Sequence, residues 1–237
     1  MARTVRQFTC QSCGTRTGKW AGRCDNCGEW NTIVEEAAAP PGIPTAPRRG
    51  RGQVIELSDL QASSEIVTRL KTGISEFDRV VGGGIVAGSA LLVGGDPGIG
   101  KSTLLLQVAA SVAAANRRVI YISGEESPDQ VRLRAQRLGV KSAMVELGAA
   151  TSIADILTTL ESGPLSPTLV IIDSIQTMWD DMVESAPGTV AQVRASSQAL
   201  IRFAKARDTA VVLVGHVTKD GQIAGPRVVE HMVDAVL

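Results

Sequence analysis

The 237-residue sequence has few aromatic residues, 3% of the total, and no apolar run that approaches the roughly 20 residues of a membrane-spanning helix. Its first six residues, Met1-Ala2-Arg3-Thr4-Val5-Arg6, lack the apolar segment of a signal peptide. We therefore expect a cytoplasmic protein with no membrane partner. Hydrophobic residues still make up 44% of the chain, so Val, Ile, Leu and Ala have to fill the core.

The formal net charge is zero, but the charges are distributed unevenly. Residues 1–52 hold eight Lys/Arg and four Asp/Glu, a balance of +4, and the remainder holds 16 Lys/Arg against 20 Asp/Glu, a balance of −4. A basic N-terminal part can contact nucleic acid. An excess of this size is equally typical of an ordinary solvated surface.

Cysteine is absent after residue 27, and the four cysteines form two pairs, Cys10-x-x-Cys13 and Cys24-x-x-Cys27. A glycine follows each pair and allows the tight turn that directs two thiolates at one ion. Four thiolates predict a structural zinc site with no open position for catalysis. Iron in a rubredoxin-like site and two disulfides are the alternatives, and disulfides are rare in the cytoplasm. We expect Trp20 and Trp30 to pack on the metal site.

Composition predicts three regions along the chain. Residues 1–34 form the four-cysteine module, and residues 35–53 read as a flexible linker because they contain four of the ten prolines together with three arginines. Residues 54–237 form the third region, which is the core domain. A short amphipathic helix with Ile74 and Phe77 on one side is expected ahead of the glycine cluster at 82–84.

The stretch from Gly95 to Ser102 has the spacing G-x-x-x-x-G-K-S of a phosphate-binding P-loop, with an apolar run before it and an Ala- and Leu-rich helix after it. Glycines bring the backbone N–H groups close to the phosphates, and the helix adds its free N-terminal amides. We expect Lys101 to reach the β- and γ-phosphates and Ser102 to ligate Mg²⁺. The predicted nucleotide-binding residues are Gly95, Asp96, Pro97, Gly98, Ile99, Gly100, Lys101, Ser102 and Thr103.

After the P-loop, apolar strand-like runs at 118–123, 168–173 and 210–214 alternate with helical patterns at 128–138, 152–162 and 188–206. Strands that are apolar on both faces and alternate with helices predict an α/β fold with a mainly parallel, doubly wound sheet. Ligands of such sheets bind at the carboxyl ends of the strands. The candidate residues all fall at those ends.

Asp173 ends an apolar strand, as a Walker B aspartate does when it holds Mg²⁺ through water. Glu125 and Glu126 follow the strand that ends at Ser123. A carboxylate there can orient and deprotonate the water that attacks the γ-phosphate, and we assign this catalytic role to Glu125, with Lys101. An acidic first turn that favours the helix dipole is the alternative.

His216 follows the strand at 210–215 and is a candidate sensor of the γ-phosphate, although a lone histidine is more often a structural donor. Two polar loops, 180–190 and 218–227, are candidate working loops or plain surface connections. The second contains Lys219 and Arg227.

These motifs occur in one order along the chain. They are the Cys-x-x-Cys-Gly pairs, Thr72-Gly73-Ile74 with Gly82-Gly83-Gly84, the P-loop, Ser123-Gly124-Glu125-Glu126-Ser127, Asp173-Ser174-Ile175-Gln176-Thr177 and Gly215-His216-Val217-Thr218-Lys219. Together they closely resemble the RadA/Sms family of bacterial DNA repair proteins. By position, Glu125 matches that family's catalytic glutamate and His216 its nucleotide sensor. The two loops match those that face DNA, so the resemblance makes Lys219 and Arg227 candidate DNA contacts.

The resemblance implies a RecA-like ATPase core and an ATP-driven motor that binds single-stranded and branched DNA and promotes branch migration in recombinational repair. It also implies hexameric rings and a RecA-type recombinase as partner. The family continues with a Lys-Asn-Arg-Phe-Gly motif and a Lon-like domain that this sequence lacks, so we expect a fragment with impaired hydrolysis. A clock-type regulatory ATPase and a non-catalytic ATP-binding zinc adaptor are the alternatives. Stimulation of ATP hydrolysis by single-stranded DNA would distinguish a DNA repair motor from both.

Overall fold

The computed structural model describes residues 7–10, 13–36, 69–163, 165–216 and 229–237. Most of the predicted linker, from residue 37 onward, lies outside the described residues.

Within the described residues the elements follow one another in chain order. They are β1 (Gln7–Cys10), β2 (Arg16–Thr17), β3 (Ile33–Glu36), β4 (Arg69–Leu70), α1 (Ser75–Val80), β5 (Ile85–Val86), β6 (Ala90–Val93), α2 (Lys101–Ala114), β7 (Val119–Ser123), α3 (Pro128–Arg137), β8 (Val145–Ala149), α4 (Ile153–Glu161), β9 (Leu169–Asp173), α5 (Val190–Arg207), β10 (Ala210–Val214) and β11 (Ala235–Val236).

The central sheet has six strands in the order β11-β6-β10-β9-β7-β8, and every neighbouring pair is parallel. Helices α2, α3, α4 and α5 lie in the connections β6–β7, β7–β8, β8–β9 and β9–β10, as is usual between parallel strands. The predicted α/β class with a parallel, doubly wound sheet is therefore confirmed. Strands β6, β10 and β9 pair in order, so the ends of these strands and of β7 meet at one edge of the sheet.

Alternate side chains of each strand contribute to two separate cores, because successive residues of a strand point to opposite faces. Leu91 and Val93 pack with α2 on one face, whereas Leu92 packs with α4 and α5 on the other. All four residues of β6 and all five of β9 and β10 are buried. Burial on both faces explains why these strands read as continuous apolar runs.

Polar side chains fix the starts of three helices that the sequence predicts. Ser127 forms a capping box with Gln130 at the start of α3, and Pro128 takes the first helical position. Ser152 caps α4 and Thr189 caps α5 by accepting a hydrogen bond from a backbone N–H of the first turn. Gly139, with φ of 72°, follows the end of α3. The observed bounds lie within two residues of the predicted ones.

Helix α1 matches the predicted short helix, and Phe77 is its buried residue, with 4% of its surface exposed. Ile74 precedes the helix and packs against the same core. Strand β8 was not predicted, because it lies at the sheet edge with only partial burial and lacks the continuous apolar pattern of the inner strands. The apolar residues at 235–237 predict a strand at the end of the sequence, and β11 confirms it.

The N-terminal residues form their own three-stranded antiparallel sheet in the order β2-β1-β3. Strand β3 extends to Glu36, two residues past the predicted end of the four-cysteine module. Among the residues that the structure describes, we find no helix long and apolar enough to cross a membrane.

Candidate nucleotide site and metal centre

A pocket of about 320 Å³ opens at the carboxyl edge of the central sheet, where the P-loop, β7, β9 and β10 converge. Its lining brings together residues predicted from four separate motifs: the P-loop, Glu125 with Glu126, Asp173 and His216. The lining residues are Pro97, Gly98, Gly100, Lys101, Ser102, Thr103, Ser123, Glu125, Glu126, Arg134, Asp173 and His216. A volume of this size falls in the range of small-molecule sites.

Lys101 is the first residue of α2, and only 8% of its surface is exposed. Its Nζ donates hydrogen bonds to the backbone carbonyls of Gly95, at 2.7 Å, and Asp96, at 2.9 Å. These bonds satisfy a buried ammonium group and hold it over the loop. The lysine is therefore fixed where its charge faces the pocket.

The backbone of the P-loop depends on glycine at two positions. Gly98 and Gly100 have φ of 82° and 104°, a region that other residues rarely adopt. Gly100 is the N-cap of α2 and provides no side chain to satisfy the first amides of the helix. These amides remain available to an anion, and the helix dipole favours negative charge at the same place. The Ile99 side chain, by contrast, is 69% exposed.

Asp173 ends β9 directly beside the start of α2. The carboxylate is 9% exposed, and its Oδ2 accepts a hydrogen bond from the Tyr121 phenol on the neighbouring strand. The two predicted magnesium ligands, Ser102 and Asp173, both line the pocket.

Glu125 contacts groups from two other strand ends. The Ser174 hydroxyl donates a hydrogen bond to Glu125 Oε1 at 2.7 Å, and His216 Nε2 lies 3.3 Å from the same oxygen. Burial alone raises the pKa of Glu125, but the hydrogen bonds from Ser174 and His216 and the charge of Lys101 lower it below its ordinary value. Glu125 is therefore a carboxylate at neutral pH.

Gly124 allows this approach of Glu125 to Ser174. A Cβ atom at Gly124 would lie 2.0 Å from Thr177 Oγ1, so no other residue fits at this position without a shift of the loop. The Gly124 N–H also donates to the Asp173 carbonyl at 2.8 Å, which joins the ends of β7 and β9.

The second glutamate of the pair behaves differently from the first. Glu126 forms a salt bridge with Arg134 of α3, and its backbone N–H donates to Ser123 Oγ at 2.8 Å. Arg134 lines the pocket, and its Nη1 is buried without a hydrogen-bond partner among the described residues. The charge of Glu126 is thus engaged by a cation, whereas Glu125 faces the interior of the pocket.

The loop at 180–190 is well defined, because one buried side chain holds it. Gln192 of α5 is 2% exposed, and its Oε1 accepts a hydrogen bond from Asp180 N–H at 2.7 Å. Its Nε2 donates to the carbonyls of Asp180, Val183 and Ser185 at 2.8–3.1 Å. The second predicted loop, with Lys219 and Arg227, lies outside the described residues.

The four cysteines converge at one point of the N-terminal sheet. Their Sγ atoms all lie within 4.8 Å of one another, with Cys10–Cys27 and Cys13–Cys24 at 3.6 Å. A tetrahedral ion with sulfur ligands at 2.3 Å separates them by about 3.8 Å, so the set fits such an ion closely. Burial raises the pKa of Cys13, but hydrogen bonds with Thr15 and Asn26 outweigh it and lower the pKa to about 6, whereas burial and the neighbouring thiols raise the pKa of Cys27 to about 12.

Both cysteine pairs use the same turn. The N–H of Gly14 donates to the Cys10 carbonyl at 2.9 Å, and the N–H of Gly28 donates to the Cys24 carbonyl at 2.8 Å. The two glycines have φ of 72° and 76°. This near-identity shows that the two turns form equivalent halves of one metal site.

The prediction that Trp20 and Trp30 pack on the metal site is wrong. Their side chains are 61% and 67% exposed, and the Arg23 guanidinium lies 5.8 Å from the centre of the Trp30 ring. The residues that pack around the buried cysteines are smaller: Phe8, Ala21 and Ile33. A sheet of three short strands has too little volume to enclose an indole.

Sequence reasoning missed three residues of the site: Tyr121, Arg134 and Ser174. Tyr121 is the one tyrosine of the chain and lies inside an apolar strand, a signal that could have drawn attention to it. Ser174 directly follows Asp173. Arg134 carried no signal, because its pairing with Glu126 depends on the packing of α3 against the pocket.

The parallel sheet, the P-loop and the pocket at the carboxyl edge define a P-loop nucleotide-binding domain of RecA-like architecture. The ATPase domain of G40P has the same fold, with a TM-score of 0.60 over 72% of this chain and 75% of that chain, at 16% identity. A four-cysteine metal-binding ribbon precedes this domain.

Comparison with known sequences identifies the family. A model described as an AAA domain matches residues 56–222, and a model described as a rubredoxin metal binding domain matches residues 8–35. The chain therefore belongs to the AAA domain family.

Curated relatives match along the whole chain. DNA repair protein RadA of Brucella abortus is 59% identical over 244 residues, and that of Bacillus subtilis is 45% identical over 247 residues. Each alignment covers 100% of this chain and 52% of the relative. The chain thus spans about half the length of the curated relatives it matches, and the resemblance to the RadA/Sms family is confirmed.

Proposed function

We propose that this chain is the ATP-hydrolysing part of a DNA repair motor and carries a structural zinc ribbon. The observation that carries this proposal is the convergence of P-loop, Asp173 and Glu125 in one pocket. The curated relatives at 44–59% identity bear the name DNA repair protein RadA, which supports the assignment to repair.

In this proposal the P-loop amides and Lys101 bind the phosphates of ATP. Binding separates the Lys101 ammonium from the carbonyls of Gly95 and Asp96 and gives it the β- and γ-phosphate oxygens instead. Ser102 and Asp173 would hold Mg²⁺. The ion would neutralise the charge that develops on the phosphates.

Glu125 acts as the base that orients and deprotonates the attacking water. Its lowered pKa keeps it ionised, and Ser174 fixes one of its oxygens, so the carboxylate has a defined direction. His216 contacts the same oxygen and directly follows β10. Loss of the γ-phosphate on hydrolysis would alter this contact and, through His216, the loop that follows β10. This is the proposed sensor role of His216.

The four cysteines occupy all positions of a tetrahedral ion, so the ribbon metal has a structural role and leaves no place for a substrate. We assign zinc, with iron as the alternative. Metal analysis and the visible absorption that an iron–thiolate centre would show distinguish the two.

The finer part of the proposal concerns DNA. We propose that single-stranded or branched DNA binds at the loops 180–190 and 218–227, with Lys219 and Arg227 as contacts, and that hydrolysis drives branch migration. A hexameric ring and a RecA-type recombinase partner complete this proposal. Its support in the structure is the loop at 180–190, which follows β9 at the carboxyl edge of the sheet, where the nucleotide pocket also opens. The loop at 218–227 lies outside the described residues and is assigned from the family resemblance.

The decisive experiment measures ATP hydrolysis with and without single-stranded DNA, both by this chain and by a longer chain that also contains the other half of the relatives' length. We expect weak hydrolysis by this chain and DNA-stimulated hydrolysis by the longer one. Absence of stimulation in the longer chain would favour a regulatory ATPase or an adaptor. Lys101→Ala should abolish nucleotide binding, because it removes the charge that bridges the phosphates. Lys141→Ala, at an exposed lysine outside the nucleotide pocket, is the matched control. Equal turnover in the two variants would contradict the P-loop assignment.

A further inference from the structure

Tyr121 is the feature of the pocket that the proposed reaction leaves unexplained. It lies in the middle of β7, is 1% exposed and is the single tyrosine of the chain. Most of its ring belongs to the hydrophobic core beneath α2. Its hydroxyl, however, reaches the carboxyl edge of the sheet and donates a hydrogen bond to Asp173 Oδ2.

The register of the sheet explains this reach. Tyr121 lies opposite Ile171 of β9, and Ser123 lies opposite Asp173, so the phenol spans the distance of two residues along the strand. A phenylalanine would fill the same space in the core but would leave the Asp173 oxygen without this donor. Packing in the core accounts for an aromatic ring at position 121. The hydrogen bond to Asp173 accounts for the hydroxyl group on that ring.

The hydroxyl contacts one of the two residues proposed to hold Mg²⁺, because Asp173 Oδ2 accepts its hydrogen bond. The bond uses only Oδ2 of the carboxylate.

We propose that Tyr121 is a positioning residue that orients the Asp173 carboxylate for Mg²⁺ before the ion arrives. This inference rests on the proposed function, since it assigns a role within the same nucleotide site. A ligand that is already held in place loses less conformational freedom when the ion binds. Outer partners of metal ligands typically change metal affinity by about 10–100-fold when they are removed.

The test titrates Mg²⁺ against binding of a fluorescent, non-hydrolysable ATP analogue to the full chain. Tyr121→Phe should raise the Mg²⁺ concentration for half-maximal binding by about 10–100-fold. Binding of the analogue in EDTA should equal that of the wild type, because the P-loop amides and Lys101 are untouched. A titration that superimposes on the wild type would overturn the proposal.

Thr209→Val is the matched control for a purely structural effect. Thr209 is 0% exposed and donates a hydrogen bond to the Pro167 carbonyl at 2.8 Å, at the opposite end of β10. Its removal also deletes one buried hydroxyl, so it should lower the melting temperature without changing the Mg²⁺ titration. If both variants shift the titration equally, the effect is one of general stability and the proposal fails.

The single tyrosine allows a second measurement that needs no substitution. Wild-type protein labelled with 3-fluorotyrosine should give one ¹⁹F resonance for the folded chain. We expect the resonance to shift when Mg²⁺ is added to the protein saturated with the analogue, and not when EDTA is added instead.

An unchanged resonance would overturn the proposal even if Tyr121→Phe fails to fold. A wild-type chain that binds no nucleotide at all would instead overturn the proposed function, and this inference with it. The two failures are therefore distinguishable.

Discussion

The Ser174 hydroxyl donates a hydrogen bond to Glu125 Oε1 at 2.7 Å, and this bond joins two strand ends that are 49 residues apart in sequence. His216 contacts the same oxygen from a third strand. A carboxylate held by two partners has little freedom to rotate, which suits a group that must direct one water molecule. The predictions that follow separate the charge of Glu125 from its orientation.

Glu125→Gln should reduce ATP hydrolysis by roughly 10²–10⁴-fold, the usual contribution of a positioned general base. Glutamine keeps the size and most of the hydrogen bonding but cannot accept the proton. Nucleotide affinity should change little, since the phosphates contact the P-loop. Steady-state hydrolysis and analogue binding measured on the same preparation check both parts.

Glu146→Gln is the matched control for that substitution. Glu146 lies on the edge strand β8 and forms a salt bridge with Arg118. The Glu146 side chain is 55% exposed. The same chemical change there should leave hydrolysis unaltered. Equal losses in both variants would mean that Glu125 has no special role.

Ser174→Ala should move the acidic limb of the pH–activity profile to higher pH. The hydrogen bond from Ser174 helps to lower the pKa of Glu125, so its loss lets that pKa rise toward the ordinary value of about 4.3. The ionised base is then lost earlier as the pH falls. The contribution of ionised Glu125 to the free energy of unfolding changes in the same direction. It is fully present above the ordinary pKa of the carboxyl group and is lost as the pH falls through the lowered pKa of the folded protein.

Measuring kcat/KM from pH 4 to pH 8 in about half-unit steps, and checking that the fold persists at each pH, tests this prediction. Ser162→Ala, which removes a hydroxyl that donates to Thr159 at the end of α4, is the control. Superimposable profiles for wild type and Ser174→Ala would show that Ser174 does not tune Glu125.

The sequence predicted the convergence of the site because the geometry of parallel sheets requires it. The P-loop, Asp173 and His216 each follow an apolar strand, and the carboxyl ends of parallel strands meet at one edge. No knowledge of strand order was needed for that conclusion. The order itself, with β10 between β6 and β9, depends on how helices pack across the whole sheet and leaves no local signal.

The contacts within the site were harder to predict, because they depend on side-chain direction. The bond between Tyr121 and Asp173 requires a particular strand register and rotamer, and the role of Gln192 requires the path of a loop that precedes its helix. The error on Trp20 and Trp30 has a different cause. Large aromatic side chains are buried when a core can enclose them, and the ribbon offers only a few small apolar residues.

Gln192→Leu should release the loop at 180–190 from α5. Leucine has a similar size, but it leaves the N–H of Asp180 and three loop carbonyls without the partner they have in the structure. We expect faster hydrogen exchange at Val183 and Ser185 and weaker stimulation by single-stranded DNA, with little change in nucleotide affinity. Hydrogen exchange followed by mass spectrometry, together with the hydrolysis assay, measures these effects.

Gln198→Leu makes the same change on the exposed side of the same helix, six residues further along. It should alter neither the exchange of the loop nor the stimulation by DNA. If Gln192→Leu loosens the loop while DNA stimulation stays intact, the loop is a surface connection and DNA binds elsewhere.

Cys24→Ser should release the ribbon metal and unfold residues 13–36 while the ATPase domain stays folded. Cys24 is 1% exposed and belongs to a core of only three buried residues, so the ribbon lacks enough apolar surface to fold without the ion. The metal content measured by elemental analysis should fall from one ion per chain to a small residual fraction. Hydrogen exchange should rise across the ribbon and stay unchanged in β6, β9 and β10.

Trp20→Ala is the control for this prediction, and it also tests the exposed position of the indole. Because 61% of the Trp20 side chain is exposed, its removal should leave both the metal content and the exchange of the ribbon unchanged. Loss of metal from Trp20→Ala would mean that the indole covers the site after all. A loss of the ATPase domain's thermal transition in Cys24→Ser would show that the two parts fold together, contrary to the predicted independence of residues 1–34 and 54–237.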